Sequence, residues 1–350
     1  MNFKTPEVPP HVNVEISEND IQNGALQILK VIRPNWEESS ITFKLLTDGI
    51  TNKLVGCKPE GADDEEIVLV RIYGNKTDLI IDRKAETRNI ILLHKAGLAP
   101  NLYATFKNGL AYRYLPGCTL TSKSVREPTI YTLVAKQLAL LHKVNPNNGP
   151  SKTFLWDKIR KFLDLIPDTF SDPEKHIRYM KNVTPKSKIE QEMYEMKEVI
   201  ESLGSPIVFA HNDLLLGNVI YNKEKNKVTF IDYEYAALNY QSVDIANHFA
   251  EFVGIDEIDY SLYPNKEFQT EWIKVYLTEY NGREPSSKEI EKMYVQINKS
   301  TLITHIFWGV WSLVQAEHSS ISFDYMGYAA IRLNEYFSKK DLFLSLELPS

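Results

Sequence analysis

The segment around residue 210 brings together side chains that can bind phosphate and metal ions. An apolar run over residues 207–210 leads into a His-Asn-Asp sequence that ends at Asp213, and Asn218 follows five residues later. After a turn rich in Asn and Lys, a second apolar run, VTFI, leads directly into Asp232. Mg²⁺ prefers a few oxygen ligands and leaves room for phosphate oxygens and water. The spacing therefore predicts a phosphoryl-transfer site in which Asp213 is the catalytic base for an attacking hydroxyl, and Asn218 and Asp232 bind Mg²⁺.

The same order of residues is typical of the protein-kinase catalytic loop H-R-D-x-x-x-x-N, with Asn in place of Arg. An Asp with an Asn five residues later is a weak signal by itself, because Asp213 could equally cap a turn. The full order of strand, His-Asn-Asp, Asn218, hairpin and a strand that ends at Asp232 is much more specific. We interpret His211 as a structural anchor of this loop. Glu234 lies two residues beyond Asp232, and in an extended chain both carboxylates would point to one side, so we predict that Glu234 helps to bind a second metal ion.

The elements that must position these side chains change character along the chain. A short amphipathic helix is expected over residues 20–32, before a region with the alternation and the Asn-Gly and Asp-Gly turns of β-strands. One helix over residues 82–95 interrupts this region. The predicted strands cover residues 41–48, 52–57, 65–74, 101–106 and 110–115.

Helical periodicity dominates from residue 128 onward and is interrupted by one β island over residues 207–232. The sequence thus predicts an α+β architecture, with a small β-rich lobe that contains one helix and a larger, mainly helical lobe. We assign residues 1–20 to a poorly ordered lead-in, 21–112 to the N-terminal lobe, 113–119 to a hinge and 120–350 to the C-terminal lobe. The predicted helices of the second lobe are 128–144, 153–164, 187–203, 243–253, 267–280, 287–317 (with a break allowed) and 324–338.

Composition and charge exclude several classes of protein. The 350 residues include 40 Lys and Arg and 46 Asp and Glu, a formal net charge of −6, which disfavours a broad nucleic-acid surface or a polybasic membrane anchor. Two cysteines cannot form a disulfide framework. No apolar run approaches the ~18 residues of a spanning helix, and the N-terminus lacks the apolar segment of a signal peptide. We therefore expect a cytoplasmic protein with no stable membrane insertion and no nucleic-acid partner.

Sequence blocks from about residue 45 to residue 336 resemble the choline/ethanolamine kinase family. The resemblance is carried by LTDGITNKLVGC, VLVRIYGNKTDLIIDR, HNDLLLGNVIYN, VTFIDYEYAALNYQSVDIANHF and HIFWGVWSLVQA. It implies a protein-kinase-like, two-lobed fold and ATP-dependent phosphorylation of an aminoalcohol, with Mg²⁺ as cofactor and ATP as co-substrate. The sequence Leu214-Leu215-Leu216 after His-Asn-Asp resembles the ethanolamine-specific branch of the family more than the choline-specific one.

The resemblance also implies which residues bind ATP. Arg71, in the third predicted strand, would replace the strand lysine of protein kinases and bind phosphate oxygens, with Glu86 on the following helix as its ion-pair partner. Without the resemblance, both would be read as ordinary surface charges, and the loop over the phosphates would be read as a plain β-turn. The other implied ATP positions are the phosphate loop Asp48, Gly49, Thr51 and Asn52, and Arg113 and Tyr114 in the hinge that would hold the adenine.

A polar stripe lies on the predicted helix 243–253. Asp244, Asn247, His248 and Glu251 are spaced i, i+3, i+4 and i+7, so they share one face. A solvated face is the structural alternative. The resemblance implies that Asp244 supports the backbone of the catalytic loop and that Glu251 faces the ammonium group of the substrate.

Aromatic side chains on a later helix would complete this pocket. Trp308 and Trp311 lie at i and i+3 and share a face, which more often indicates a core than a ligand site. The resemblance makes them an aromatic wall for the substrate, with Tyr328 nearby. Aromatic faces and a carboxylate can bind a cation, while Asp213 orients the hydroxyl of the same molecule for attack on the γ-phosphate.

The favoured function is therefore phosphorylation of ethanolamine to phosphoethanolamine, the first step of the CDP-ethanolamine route to phosphatidylethanolamine. A choline kinase or a dual choline/ethanolamine kinase is the alternative within the family, and an aminoglycoside-type kinase is a more distant one. An inactive kinase-like binding module and a metal hydrolase are alternatives from other classes. The hydrolase would need a ligand cluster such as H-E-x-x-H, which the sequence lacks. The sequence leaves open whether the protein forms a homodimer.

Overall fold

The structure, a computed structural model, describes residues 8–17, 19–46, 52–74, 80–146, 152–255, 257–319 and 321–350. The chain divides into a first unit, Met1–Cys118 with Asn222–Glu234, and a second unit, Thr119–Tyr221 with Tyr235–Ser350. The sequence placed the first division within residues 113–119, and the chain changes unit between Cys118 and Thr119. By contrast, Asn222–Glu234 lies in the first unit, although the sequence assigned it to the C-terminal lobe.

A mixed β-sheet organises the first unit. Its strands are β1 (His11–Val12), β2 (Ile41–Leu46), β3 (Asn52–Pro59), β4 (Val68–Tyr73), β5 (Leu102–Phe106) and β6 (Gly109–Arg113). Among the described residues they are ordered β1-β5-β6-β4-β3-β2, with β1 parallel to β5 and the other neighbours antiparallel. The predicted strand 65–74 starts later than expected, because a 3₁₀ turn over Asp64–Glu66 precedes β4.

An apolar core joins this sheet to the first helix. The helix α1 (Ile21–Ile32) buries Ala25, Ile28 and Leu29, which form one cluster with residues of β3, β4 and β6. The spacing of these three residues places them on one face of the helix. The predicted amphipathic helix over residues 20–32 is therefore confirmed.

The poorly ordered lead-in predicted for residues 1–20 is wrong in part. His11–Val12 pairs with residues 105–106 of β5. The side chain of Asn108 then holds the backbone N–H and the backbone oxygen of Ile16, each at 2.9 Å. These contacts involve residues about ninety positions apart in the chain, and so local composition could not reveal them.

The second helix of the first unit, α2 (Arg83–Lys95), positions an acidic side chain of the site. It begins at a capping side chain, because Asp82 accepts hydrogen bonds from the backbone N–H of Lys84 and Ala85, each at 3.0 Å. Glu86 is fully buried on the same helical face as the apolar residues four and seven positions later. The helix therefore directs Glu86 into the interior of the first unit.

The second unit is mainly helical. Its helices are α3 (Pro128–His142), α4 (Leu155–Leu165), α5 (Pro173–Asn182), α6 (Lys186–Ser202), α7 (Gln241–Ala250), α8 (Lys266–Asn281), α9 (Ser287–His318) and α10 (Tyr325–Leu344). The short strands in the rest of the chain are β7 (Cys118–Thr119), β8 (Ile207–Ala210), β9 (Val219–Asn222), β10 (Lys227–Phe230) and β11 (Ala237–Tyr240). The strands β8 and β11 pair antiparallel, which brings the segment that precedes Asp213 next to the segment that precedes α7.

The helix α9 is the central element of the second unit. It is unbroken over 32 residues, although the sequence allowed a break, and it packs against α4, α6, α7, α8 and α10. A capping box of Ser286 and Glu289 starts it. The helix α5 was not predicted from the sequence. Asp172 is its N-cap, and Pro173 is its first residue.

The strand-rich first unit and the helix-rich second unit confirm the predicted α+β class. In the part of the chain that the structure describes, none of the helices combines the length and the low polarity needed to cross a lipid bilayer.

Candidate active site

The predicted catalytic loop follows β8 and ends in a 3₁₀ turn over Leu216–Asn218. Asn218 Nδ2 donates a hydrogen bond to the backbone oxygen of Asp213 at 2.8 Å and lies 3.5 Å from Asp213 Oδ2. Both side chains are buried. Within the second unit, the structure thus brings together the predicted base and one predicted metal ligand, and their contacts restrict the orientation of the Asp213 carboxylate.

Asn212 turns the chain between the strand and the loop. Its φ of 64° lies in the left-handed region, which Asn tolerates better than most side chains. Asn212 Nδ2 donates to the backbone oxygen of Tyr235 at 3.0 Å, and Asn212 Oδ1 accepts from Asn239 Nδ2 at 2.7 Å. The asparagine that replaces the kinase arginine therefore connects the catalytic loop to the segment around β11.

Asp244, near the start of α7, holds the backbone of the same loop. Its Oδ2 accepts from the N–H of His211 at 2.9 Å, and its Oδ1 accepts from the N–H of Asn212 at 2.6 Å. His142 Nε2 lies 2.8 Å from Asp244 Oδ2. Burial would raise the pKa of Asp244, but the hydrogen bond and charge of His142, together with His211, hold it below its usual value. The carboxylate therefore stays ionised and can accept both loop bonds.

His142, at the end of α3, is a site residue that the sequence analysis missed. Its other ring nitrogen, Nδ1, lies 2.6 Å from the hydroxyl of Tyr276, and that hydroxyl also accepts from Gln241 Nε2 at 2.9 Å. All residues of α7 are buried, so the alternative of a solvated polar face is wrong. The signal for His142 was a lone imidazole at the end of the apolar run LALLH.

The two histidines nearest the loop have structural contacts. His211 is fully buried, and its backbone N–H is bound by Asp244 as described. His248 Nδ1 donates to the backbone oxygen of Leu214 at 3.0 Å. Burial lowers the pKa of His248 to about 4. His248 is therefore neutral at physiological pH and fixes the residue that follows Asp213.

A row of aromatic rings lies in the second unit, and we call Tyr235, Trp308, Trp311 and Tyr325 the aromatic wall. The Trp308 ring centroid lies 5.6 Å from that of Tyr235 and 5.4 Å from that of Trp311, which lies 5.8 Å from Tyr325. Trp308 Nε1 donates to Asn247 Oδ1 at 2.6 Å, and Trp311 Nε1 donates to the Tyr235 hydroxyl at 2.8 Å. The hydrogen bonds fix the rings, and Trp311 remains partly exposed. Both tryptophans of the wall were predicted from the sequence, and its two tyrosines were not.

Glu251 and Tyr328 lie close together because both contact Arg332, a residue that was not predicted from the sequence. Arg332 Nη1 donates to Glu251 Oε1 at 2.8 Å and to the hydroxyl oxygen of Tyr328 at 2.9 Å. The Phe323 ring lies 5.7 Å from Tyr328 and 4.9 Å from Tyr325, which connects this group to the aromatic wall. Tyr325, Tyr328 and Arg332 are spaced i, i+3 and i+7 in α10, so the helical period could have revealed them.

A second group of predicted site residues lies within the first unit. Arg71, in β4, is 5% exposed and forms ion pairs with Glu86 and with Asp232, the latter with 2.7 Å between Nη1 and Oδ1. Arg83, which the sequence analysis missed, lies 3.0 Å from Glu86 Oε2 and 2.9 Å from Glu234 Oε2. The alternative that Arg71 and Glu86 are surface charges is wrong, because both are buried in this network.

The carboxylates of this network have the chemistry of a metal site. One oxygen each from Glu86, Asp232 and Glu234 lie within 4.8 Å of one another. Burial and the charge of Asp232 raise the pKa of Glu234, as expected for crowded carboxylates. Oxygen donors at this spacing fit Mg²⁺. In addition, Arg71 Nε is buried without a hydrogen-bond acceptor among the described residues, which suits a phosphate oxygen.

The backbone between Asp232 and Glu234 differs from the extended chain expected from the sequence. Asp232 has a φ of 63°, in the left-handed region, and Tyr233–Tyr235 forms a 3₁₀ turn. The chain is therefore not extended between Asp232 and Glu234. The hydroxyl of Tyr233 donates to the backbone oxygen of Leu98 at 2.9 Å, and this contact fixes the turn that carries both carboxylates.

The remaining predicted ATP positions are described only in part. Outside the described residues lie Asp48, Gly49, Thr51 and the side chain of Asn52. The backbone N–H of Tyr114 donates to the backbone oxygen of Ile67 at 3.1 Å. The exposed side chain of Arg113 lies 3.4 Å from Glu65 Oε2. Adenine binding by Arg113 and Tyr114 stays a prediction.

Comparisons with known proteins point to one class. The family model for choline/ethanolamine kinase matches residues 43–337. An ethanolamine kinase of Drosophila melanogaster is 46% identical and covers 97% of this chain and 81% of its own length. The solved structure of a Plasmodium vivax ethanolamine kinase is similar with a TM-score of 0.80 at 28% identity, over 91% of this chain and 89% of that chain. A choline kinase of Cryptosporidium parvum is similar with a TM-score of 0.76 at 28% identity, over 91% and 95%.

The protein is therefore an ATP-dependent phosphotransferase with an alcohol as acceptor, built on a protein-kinase-like fold. The matches extend over most of the chain and include residues of both units. This chain belongs to the choline/ethanolamine kinase family. The family, the fold and the enzyme class expected from the sequence are confirmed, and the roles of individual site residues stay predictions.

Proposed function

We propose that this protein transfers the γ-phosphate of ATP to the hydroxyl group of ethanolamine and so forms phosphoethanolamine. The observation that carries the proposal is the connection between the catalytic loop and the aromatic wall through Tyr235. The backbone oxygen of Tyr235 accepts from Asn212 Nδ2 at 3.0 Å, and its hydroxyl accepts from Trp311 Nε1 at 2.8 Å. Asn212, the residue before Asp213, is thus linked through Tyr235 to the rings that would bind the cationic end of the substrate.

The predicted base, the predicted metal ligands and Arg71 have separate roles in the proposed reaction. Asp213 accepts the proton of the substrate hydroxyl as the hydroxyl oxygen attacks the γ-phosphorus. Asn218, Asp232 and Glu234 would hold Mg²⁺, which would neutralise phosphate charge when bound. Arg71 binds phosphate oxygens through its guanidinium group. The reaction needs no covalent intermediate, since positioning and charge stabilisation supply the catalysis of phosphoryl transfer.

Ethanolamine is favoured over choline for two reasons. The primary ammonium of ethanolamine carries N–H donors that a carboxylate such as Glu251 can accept, whereas the quaternary nitrogen of choline donates no N–H bond. The Drosophila melanogaster relative at 46% identity is an ethanolamine kinase. The two structural neighbours, one an ethanolamine kinase and one a choline kinase, share the same 28% identity with this chain, and so choline is the second candidate.

An assay of ADP release with the purified protein, Mg-ATP and either aminoalcohol tests the proposal. We expect kcat/KM for ethanolamine to exceed that for choline at least about tenfold, a difference of about 1.4 kcal/mol in transition-state binding. Equal or reversed values would overturn the choice of ethanolamine. Binding of Mg-ATP in calorimetry without turnover of either aminoalcohol would favour the inactive binding module. The Asp213→Ala variant is the control for contaminating kinases.

The finer parts of the proposal concern pathway, location and assembly. Phosphoethanolamine would enter the CDP-ethanolamine route to phosphatidylethanolamine, in the cytoplasm. The free thiols of Cys57 and Cys118 are consistent with a reducing compartment. A homodimer rests on the family resemblance alone, and light scattering on the purified protein distinguishes it from a monomer.

A further inference from the structure

Glu251, the carboxylate that the proposed function assigns to the substrate ammonium, has a buried arginine as its partner. Arg332 on α10 is 1% exposed and Glu251 is 5% exposed. Arg332 Nη1 donates to Glu251 Oε1 at 2.8 Å and to the hydroxyl oxygen of Tyr328 at 2.9 Å. Tyr328 lies one helical turn before Arg332. One nitrogen of the guanidinium therefore fixes both a carboxylate oxygen and a tyrosine hydroxyl.

The ion pair uses only one oxygen of the carboxylate. Arginine and carboxylate groups frequently pair through two parallel hydrogen bonds, but here the bond is formed by Oε1 of Glu251. Glu251 Oε2 accepts no hydrogen bond from the residues that the structure describes, and Arg332 Nε and Nη2 have no acceptor among them. The contact thus fixes one oxygen and leaves the other as an acceptor for a ligand.

The other titratable groups around this pair supply no positive charge that contacts Glu251. They are Tyr260 in the 3₁₀ turn Tyr260–Leu262, His305 on α9, and Tyr328, Glu335 and Lys339 on α10. Lys339 pairs with Glu335 at 3.8 Å. Burial raises the pKa of both tyrosines, for Tyr260 to about 12, and burial also raises the pKa of Glu335. Burial lowers the pKa of His305 well below its usual value. At neutral pH the tyrosines and His305 are neutral, and Arg332 supplies the positive charge that contacts Glu251.

The bond from Arg332 restricts the orientation of the Glu251 carboxylate. A carboxylate that is already held in one orientation binds an ammonium group at a lower entropic cost. We propose that Arg332 is a positioning residue that fixes the Glu251 carboxylate through Oε1, so that Oε2 accepts an N–H of a primary ammonium substrate. The inference rests on the proposed function and adds to it a residue that determines acceptor specificity.

The geometry makes Arg332 more important for a primary than for a quaternary amine. Oε2 of Glu251 accepts a hydrogen bond from a primary ammonium, whereas choline has no N–H to donate. Choline would depend more on the faces of the aromatic wall. In the described part of the chain, the hydrogen bond and the cation–π contact of Arg332 to a ring residue are with Tyr328, outside that wall. Loss of Arg332 therefore weakens ethanolamine binding more than choline binding.

The Arg332→Gln variant tests this inference through the KM values of the substrates. We expect the ethanolamine KM to rise at least about tenfold, because the carboxylate is no longer positioned and a hydrogen bond to a charged group is worth at least about that factor. The ATP KM should change less than about twofold. The KM or inhibition constant of choline should change less than that of ethanolamine. Arg332→Lys retains a cationic donor and should restore part of the wild-type ethanolamine KM.

A matched control separates this effect from loss of a buried ion pair in general. Lys340 lies on the same helix and pairs with Glu192, which is 3% exposed, at 2.6 Å. Lys340→Met should lower the melting temperature and leave the ethanolamine KM unchanged. An Arg332→Gln ethanolamine KM equal to that of the wild type, or one raised by the same factor as the choline KM and the ATP KM, would overturn the inference.

A second variant keeps the inference testable if Arg332→Gln does not fold. The double variant Glu251→Gln/Arg332→Gln removes both charges and leaves no unpaired buried charge. Its ethanolamine KM should be raised and equal to that of Glu251→Gln alone, and a wild-type KM would contradict the inference. A wild-type protein that does not phosphorylate ethanolamine overturns the proposed function and this inference with it. An active wild type with an unaffected variant overturns the inference alone.

Discussion

Replacement of Asp244 by Asn tests how the catalytic loop is held. The Asp244 carboxylate accepts two backbone bonds from the loop, at 2.9 Å and 2.6 Å, and contacts His142. The carboxamide of Asn has one oxygen, so its amino group would face one of the two backbone N–H donors. The left-handed turn at Asn212 would then lose one of the bonds that stabilise it.

The loss of stability expected for Asp244→Asn follows from the hydrogen bonds that the substitution removes. Loss of one hydrogen bond to a charged group amounts to about 1.5–3 kcal/mol, and a buried N–H left without an acceptor adds about 1–3 kcal/mol. We expect Asp244→Asn to lower the free energy of unfolding by about 3–5 kcal/mol in total. A displaced loop shifts Asp213, and a shift of about 1 Å in a positioned group lowers kcat by about 100-fold. The ATP KM should change much less than kcat.

The assay combines urea unfolding with steady-state kinetics of Asp244→Asn and of a control. Asp172 also accepts two backbone bonds, at 2.8 Å and 3.3 Å, but at the exposed start of α5. Asp172→Asn should cost a few tenths of a kcal/mol, since Asn and Asp are similar as helix caps. Wild-type stability and kcat in Asp244→Asn would refute the role of Asp244 in the loop.

The difference in unfolding free energy between wild type and Asp244→Asn should depend on pH with a definite sign. The folded pKa of Asp244 is lowered, so its contribution to stability is complete above the unfolded value of about 3.9 and is lost as the pH falls through the folded pKa. The difference in unfolding free energy between wild type and Asp244→Asn should therefore be full at pH 7 and shrink below about pH 4. A difference that grows in acid would contradict the assigned ionised state.

Three further predictions concern the base, the wall and a buried histidine. Asp213→Ala should lower kcat by about 10²–10⁴ while calorimetry still detects ATP binding; unchanged turnover would contradict its role as base. Trp311→Ala should raise the ethanolamine KM more than the ATP KM, and the opposite pattern would place Trp311 outside the acceptor pocket. Because burial lowers the pKa of His248 to about 4, its contribution to stability should decline as the pH falls from about 6.5 toward 4. His248→Asn should reduce that slope in urea unfolding, and an unchanged slope would show that other groups dominate it.

Local patterns predicted most of the fold because they depend on neighbouring residues. The period of apolar residues located α1, α2 and most helices of the second unit, and the Asn-Gly turn located the hairpin of β5 and β6. Predictions were wrong where tertiary packing, and not local sequence, determines the secondary structure. The strand β1 exists because it pairs with β5, and α9 is continuous because neighbouring helices bury it on several sides. The helix α5 is short and polar, and its cap at Asp172 was the only clear local signal.

The sequence by itself determined the reaction class, because Asp213, Asn218 and Asp232 belong to contiguous segments whose spacing follows from the chemistry of phosphoryl transfer. Only the tertiary structure decided which charges surround them. His142 contacts Asp244 across 102 residues, and Arg332 contacts Glu251 across 81 residues. No spacing rule connects such distant positions. The buried carboxylates Asp244, Glu86 and Glu251 each need a hydrogen-bonding or cationic partner, because burial of an unpaired carboxylate is costly. The fold supplies these partners from separate helices and strands.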